Sequence, residues 1–257
     1  MGAWKTVKKD VWWNLVQGRY FHSVRLDPDR CKGCVNCIKR CPTEAIRIRG
    51  GKAQITESRC IDCGECIRRC PNRAKSAITN TMSDLAKFKY NIALPAPSLY
   101  AQYPLEFSIG SILAGLLKLG FDSVFEVAKG AEVVAAAIRA YLARKDIKKP
   151  VISSACPAVV RLIQVKYPEL IEHLLPVDPP VEVAARLARE DCRKKLGLNR
   201  DQVGVWFISP CPAKMTFVQQ PFDGRVSNIN GVIAISHIYL DLLKQLSLLK
   251  KQRQLYP

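Results

Sequence analysis

Two stretches of the sequence repeat one pattern, CKGCVNCIKRCP from Cys31 to Pro42 and CIDCGECIRRCP from Cys60 to Pro71. Each reads C-x2-C-x2-C-x3-C-P, and together they use eight of the eleven cysteines. That spacing is the ligand run of a 4Fe-4S cluster: three thiolates wrap one corner of a cube, each meeting a different iron. The fourth cysteine lies past a helical turn, points away from its own loop and ligates the other cluster. The expected sets are Cys31, Cys34, Cys37 and Cys70 for one cluster and Cys60, Cys63, Cys66 and Cys41 for the second, with Pro42 and Pro71 closing the turns. A disulfide framework or zinc knuckles would not require two runs in register, identical at seven of twelve positions. The chemistry expected is one-electron transfer.

The elements that position these cysteines follow from the intervening sequence. EAIRIR, GG and KAQIT read as a hairpin, with Gly50 and Gly51 at the turn. Residues 25–80 therefore form an α+β ferredoxin-like two-cluster domain, preceded by a basic leader (1–24) carrying Trp4, Trp12 and Trp13. From 81 to 257 short apolar strands alternate with amphipathic helices. Strands are expected at 91–96, over DSVFEVA, at 150–154 and at 203–209. Helices are expected over PLEFSIGSILAGLLKLG, AEVVAAAIRAYLARK, 158–174, 180–196 and 235–250. Such alternation predicts an α/β domain of parallel βαβ units, with chemistry at the carboxyl ends of strands.

Forty Lys and Arg against 22 Asp and Glu give a net charge of +18. Between Cys31 and Lys75, eleven basic and four acidic residues leave a local +7. Each oxidised cluster with its thiolates carries about −2, so the remaining positive charge is free to dock a redox partner with an acidic surface or to raise reduction potentials. No stripe interleaves aromatics with Arg, so no nucleic acid is expected. GxGxxG and GxxxxGK are absent, which removes nucleotide binding. No run reaches the ~18 apolar residues of a membrane span, and the N-terminus lacks an apolar signal-peptide core. Iron-ligating thiolates imply a reducing compartment, and a cytoplasmic location is expected.

Two further cysteines, Cys156 in SSACPAVV and Cys211 in SPCPAK, each precede a proline at an expected strand end. Converging backbone amides and a helix N-terminus there favour a thiolate and an anionic cluster; the alternative is a small buried apolar side chain. Cys192, in AREDCRKKLG, reads as an incidental cysteine on a polar helix surface or groove. His22, His173 and His237 are the only histidines; His22 is placed to ligate an extra cluster or to be an ordinary surface or core group. Asp178 and Glu182, and the run Lys148 to Lys149, read as solvated helix ends.

A cysteine-repeat pair followed by these two loops resembles the iron-only (FeFe) hydrogenase large-subunit family, and GFDSVFEVAKGAEVVAA and KYPELIEHLLPVDPPVEVAAR resemble its large-subunit domain. The resemblance implies that Cys156 and Cys211 match two of the four cubane ligands of the catalytic H-cluster. It also implies that Lys214 matches the lysine donating to a cyanide of the diiron subsite, and Pro210 the apolar wall of that pocket. Two features depart from the family. Ala155 stands where the family has its proton-relay cysteine, and alanine carries no transferable proton. This, with Ser209 in place of the common methionine, is similar to the sensory branch. The third loop, ExxxCxxGC, is absent before Pro257, so the chain is expected to be a fragment or a truncation.

The leading expectation is an iron-sulfur electron-transfer protein with two 4Fe-4S clusters, resembling the N-terminal part of a sensory-type hydrogenase that works with a signalling domain or subunit. The alternatives are reversible hydrogen oxidation, if the third loop is supplied downstream and completes an H-cluster, and a hydrogenase-like cluster-assembly or interaction module.

Overall fold

Backbone hydrogen bonding joins the strands into two antiparallel ribbons and one parallel sheet. The computed structural model describes residues 20–222 and 224–255; most of the expected leader, with Trp4, Trp12 and Trp13, lies outside the described residues. Two units emerge, each assembled from separate segments. The first joins the described residues up to Ile78 with Ile138–Asp178 and Cys211–Ser227; the second joins Thr79–Ala137, Pro179–Pro210 and the described residues from Asn228 onward.

In the first unit, β1 (Val24–Leu26) pairs antiparallel with β4 (Lys75–Ala77), so that Leu26 faces Lys75 in register. The expected hairpin forms from β2 (Ile46–Arg49) and β3 (Lys52–Ile55), Arg49 facing Lys52 across the Gly-Gly turn. Both turn glycines have positive φ, 55° and 70°, as two-residue hairpin turns demand. Two single-turn helices, Asn36–Lys39 and Glu65–Arg68, fall one in each cysteine repeat. Two longer helices complete the unit, Pro157–Lys166 and Pro212–Gln219.

The second unit is built on four parallel strands in the order β6-β5-β7-β8: β5 (Tyr90–Pro95), β6 (Ser123–Val124), β7 (Val203–Ile208) and β8 (Gly231–Ile233). Every residue of β7 is buried, which its unbroken VGVWFI run requires of a central parallel strand. Trp206, Ile208 and Ile233 meet Leu99, Ile112, Leu116, Ile238, Leu242 and Leu246 in one apolar cluster. Trp206 Nε1 donates to Asn91 Oδ1 at 2.8 Å, giving the buried indole its partner. Parallel βαβ architecture is thus present, and among the described residues no helix is long and apolar enough to cross a membrane.

Three expectations need correction. Residues 150–154 form no sheet strand: only Ile152 pairs, in an isolated bridge to Leu174. Its N–H donates to His173 O and its carbonyl accepts from Leu175 N, both at 2.8 Å, so the segment's backbone is satisfied by a neighbouring turn. DSVFEVA yields only the two-residue β6, because the helix Val127–Leu142 begins inside it. Residues 158–174 split into the helix Pro157–Lys166 and a 3-10 segment, Pro168–His173, since Pro168 cannot continue the α-helical hydrogen bonding.

Candidate iron-sulfur site

The two repeats fold as near-copies of one another. After each fourth cysteine the chain turns back through a residue of positive φ, Glu44 at 52° and Arg73 at 48°. The amide that follows then donates to the sulfur: Ala45 N to Cys41 Sγ at 3.2 Å, Ala74 N to Cys70 Sγ at 3.3 Å. Ala53 N likewise reaches Cys31 Sγ at 3.4 Å. Amide donors on sulfur favour thiolates and anionic clusters.

Each repeat needs a left-handed residue two positions after its first cysteine. In the first this is Gly33, where a Cβ would lie 2.4 Å from Gly51 O; in the second it is Asp62, at φ 50°. A non-glycine there is strained, and Asp62 is held by two contacts that its carboxylate makes. Oδ1 accepts from Val24 N at 3.1 Å and Oδ2 meets His22 Nδ1 at 2.8 Å, with both side chains buried. His22 is thus a core group on Asp62. Its ring meets Tyr20 edge-on at 4.9 Å, and Tyr20 carries the Arg161 guanidinium over its face at 4.4 Å.

Two small cavities, one larger than the other, open between these loops. The larger is lined by Cys41, Cys60, Cys63 and Cys66, the smaller by Cys31, Cys34, Cys37 and Cys70. Each thus gathers three sulfurs from one repeat and one from the other. The amides of Ala53 and Gly33, helped by the charges of Lys75 and Lys52, lower the Cys31 thiol below its ordinary range. Burial raises Cys37. In the larger cavity burial raises Cys63 and pushes Cys60 and Cys66 up to about 12, the Asp62 charge adding to the effect at Cys60.

Lys75 and Ile46 occupy matched positions, each five residues after the P-preceding fourth cysteine of its repeat. Ile46 lines the larger cavity and Lys75 the smaller. Lys75 is only 4% exposed and its Nζ has no hydrogen-bond partner among the described residues. A buried, orphaned ammonium beside four sulfurs fits an anionic group in that cavity. Nothing in the cysteine pattern flagged Lys75; aligning the repeats beyond the prolines exposes it.

Cys156 and Cys211 stand in equivalent places, as N-caps of the two longer helices of the first unit, with φ,ψ of −102°, 109° and −99°, 112° and Pro at the first helical position. Cys156 is exposed and Cys211 half-buried. Lys214 Nζ donates to Ala155 O at 2.6 Å, tying the two loops together. The strand end expected before Cys156 is absent; the Ile152 bridge takes its place. The Cys211 loop also meets the second repeat, where a Cβ on Gly64 would lie 3.0 Å from Pro212 Cγ, and the residue before β1, Ser23, whose Oγ donates to Pro212 O at 2.8 Å. Two thiolates are half the cubane set that the resemblance implies, so the residues present do not by themselves fit an H-cluster.

Three minor assignments change. Cys192 is buried, at 5% exposure, on the apolar face of the helix Pro180–Leu196. Glu182 is buried and accepts from Asn228 N at 3.0 Å. Asp178 pairs with Arg225 at 2.6 Å, so neither acid is a solvated helix end.

Residues 89–240 match the family described as iron only hydrogenase large subunit, C-terminal domain, and residues 23–71 match the 4Fe-4S dicluster domain. The periplasmic Fe hydrogenase large subunit of Nitratidesulfovibrio vulgaris is 31% identical over 214 residues, covering 75% of this chain and 50% of that protein. The NADP-reducing hydrogenase subunit HndD of Solidesulfovibrio fructosivorans is 23% identical over 193 residues, 72% of this chain and 30% of that protein. The chain thus spans half or less of the length of these relatives. A solved FeFe-hydrogenase of Chlamydomonas reinhardtii superposes with a TM-score of 0.51 at 19% identity, covering 64% of this chain and 46% of that one; at that identity the likeness concerns the fold.

Proposed function

The chain belongs to the iron-only hydrogenase large-subunit family, and we propose that within it this protein is an electron-transfer module whose ferredoxin-like repeats hold two 4Fe-4S clusters. Cys31, Cys34, Cys37 and Cys70 hold the first, and Cys60, Cys63, Cys66 and Cys41 the second. The observation that carries this reading is the pair of cavities, each lined by four cysteines with the fourth exchanged between repeats. When bound, such clusters accept and release single electrons without a moving group. The protein's own residues supply the rest: amides of Ala45, Ala53 and Ala74 donate to ligand sulfurs, and apolar Ile46, Ile55 and Ile61 line the larger cavity against water.

Electron exchange with a partner falls to the first repeat. Lys32, Lys39 and Arg40 are exposed there and take part in no ion pair among the described residues, whereas Arg68 and Arg69 of the second repeat are both bound by Glu65. The first repeat therefore offers free positive charge to an acidic redox partner. The second repeat lies against Pro212, beside Cys211, and so faces the loops related to the family's catalytic cluster. We place the protein in a reducing compartment such as the cytoplasm, where its thiolates persist. Ala155, with Lys214 engaged on its carbonyl, favours hydrogen sensing over rapid turnover in the complete protein.

Anaerobic reconstitution tests the reading. About eight irons per chain are expected, with electron paramagnetic resonance of two interacting reduced clusters. Cys34→Ser and Cys63→Ser should each degrade one cluster and leave the other. A stable content of about four irons in the unmutated chain would sink the two-cluster assignment.

A further inference from the structure

The two cavities differ in one respect that their shared pattern does not require. At the matched position where the second cavity has the buried side chain of Ile46, the first has Lys75. Where the first loop has Gly33 the second has Asp62, an acid only 1% exposed whose Oδ1 lies 3.9 Å from Cys60 Sγ. One cavity is thus given a cation and the other an anion. His22 Nδ1 bonds the Asp62 carboxylate at 2.8 Å, and Arg161, over Tyr20, partly offsets its charge from a greater distance. Lys75 Nζ, by contrast, is enclosed and has no hydrogen-bond partner among the described residues.

A buried lysine is costly, and an isoleucine already fills the equivalent place in the sister repeat. β4 begins at Lys75, with Leu26 opposite it in β1, so the ammonium is carried by paired backbone and held at the cavity wall. A cation beside a cluster stabilises the reduced form, which bears one more negative charge, and burial leaves that interaction weakly screened.

We propose that Lys75 is a potential-setting residue whose ammonium donates to a sulfur of the first cluster and makes that cluster the electron-accepting end of the pair. The inference rests on the two-cluster reading. Because Asp62 works in the opposite sense at the second cluster, the step from second to first is downhill. Electrons from the Cys211 side then drain outward toward Lys32, Lys39 and Arg40, as oxidation or sensing of a reductant at the inner loops requires. The balance is simple: one electron leaves the second cluster, one enters the first, and no proton need be transferred between them.

The test is a potentiometric titration of the reconstituted full chain, followed by electron paramagnetic resonance, in the unmutated protein and in Lys75→Ile, Lys75→Met and Lys75→Arg. Lys75→Ile copies the sister repeat and removes a buried charge, so the fold is expected to survive. With eight irons retained, the higher of the two midpoints should fall toward the lower in the Ile and Met variants. The fall expected is about tenfold in the one-electron equilibrium, about 59 mV. The lower midpoint should move less, and Lys75→Arg should retain the separation. Unmoved midpoints, or a fall confined to the lower one, overturn the role of Lys75 while leaving the two-cluster reading intact. An unmutated chain that never holds two clusters overturns both.

Discussion

At the scale of single residues, the two ligand sets are not equally ready for iron. A thiol must lose its proton to bind the metal, so a thiol held up by burial adds to the cost of assembly. Cys60 and Cys66 are pushed up to about 12 and Cys63 is raised as well, while in the first set Cys37 is raised but Cys31 is lowered by amides and lysines. Raised values favour the protonated, metal-free form at every pH below them, so the second set binds more weakly throughout, and both sets weaken as pH falls. When reconstitution is carried out at successively lower pH, iron per chain should therefore pass through a plateau near four before vanishing. Iron analysis with electron paramagnetic resonance on each product is the check; a single drop from eight to none would mean that the environments of Cys60 and Cys66 do not govern assembly.

At the scale of elements, the contact between the second repeat and the Cys211 helix depends on Gly64. It sits at φ 76°, and a side chain there would press on the Pro212 ring. Gly64→Ala should cost ~1–3 kcal/mol from backbone strain and this contact together. Gly51→Asn, at φ 70° with open space around it, should be nearly neutral, because Asn tolerates the left-handed region. Denaturant midpoints of the reconstituted proteins compare the two. A second element-scale prediction concerns Arg189, which donates to the carbonyls of Asn228, Arg200 and Val203 at 2.8, 3.1 and 3.0 Å. Arg189→Met strands these acceptors and should lower stability by about 2–3 kcal/mol, read in the same unfolding experiment. These joints also explain what the sequence disclosed. β7 and the Gly-Gly hairpin were legible because a continuous apolar run and a turn dipeptide each admit few conformations. The 150–154 strand misled because apolar content does not say which neighbour satisfies the backbone, and here it is His173–Leu175. Cys192 was misplaced because flanking charges masked its i+4 spacing from Ala184 and Ala188, all three of which are buried. Lys75, Asp62 and Arg161 carry no motif; their roles arise from what faces them after folding.

At the scale of the whole molecule, the net charge of +18 acts through its distribution. Where acids are close, the positive charge is spent locally: Glu65 binds Arg68 and Arg69, and Asp84 binds Lys87. The first repeat, from Cys31 to Thr43, contains no acid at all, so the field of Lys32, Lys39 and Arg40 extends into solvent over about one Debye length, ~8 Å at physiological salt. An acidic protein donor or acceptor should thus be steered to the first repeat, whose Lys32 lines the first cavity, where Lys75 makes the cluster the favoured resting place of the electron. Lys39→Glu with Arg40→Glu should slow electron exchange with an acidic ferredoxin or flavodoxin by about tenfold at low salt, within the range that steering supplies. Raising the ionic strength should slow the unmutated protein and leave the double variant little changed. Photoreduction by a small deazaflavin, which needs no docked protein, should proceed equally in both. Stopped-flow rates across a salt series separate the outcomes: parallel salt dependence in the two proteins would place the docking face elsewhere on the basic surface and detach the charge of the first repeat from electron exchange.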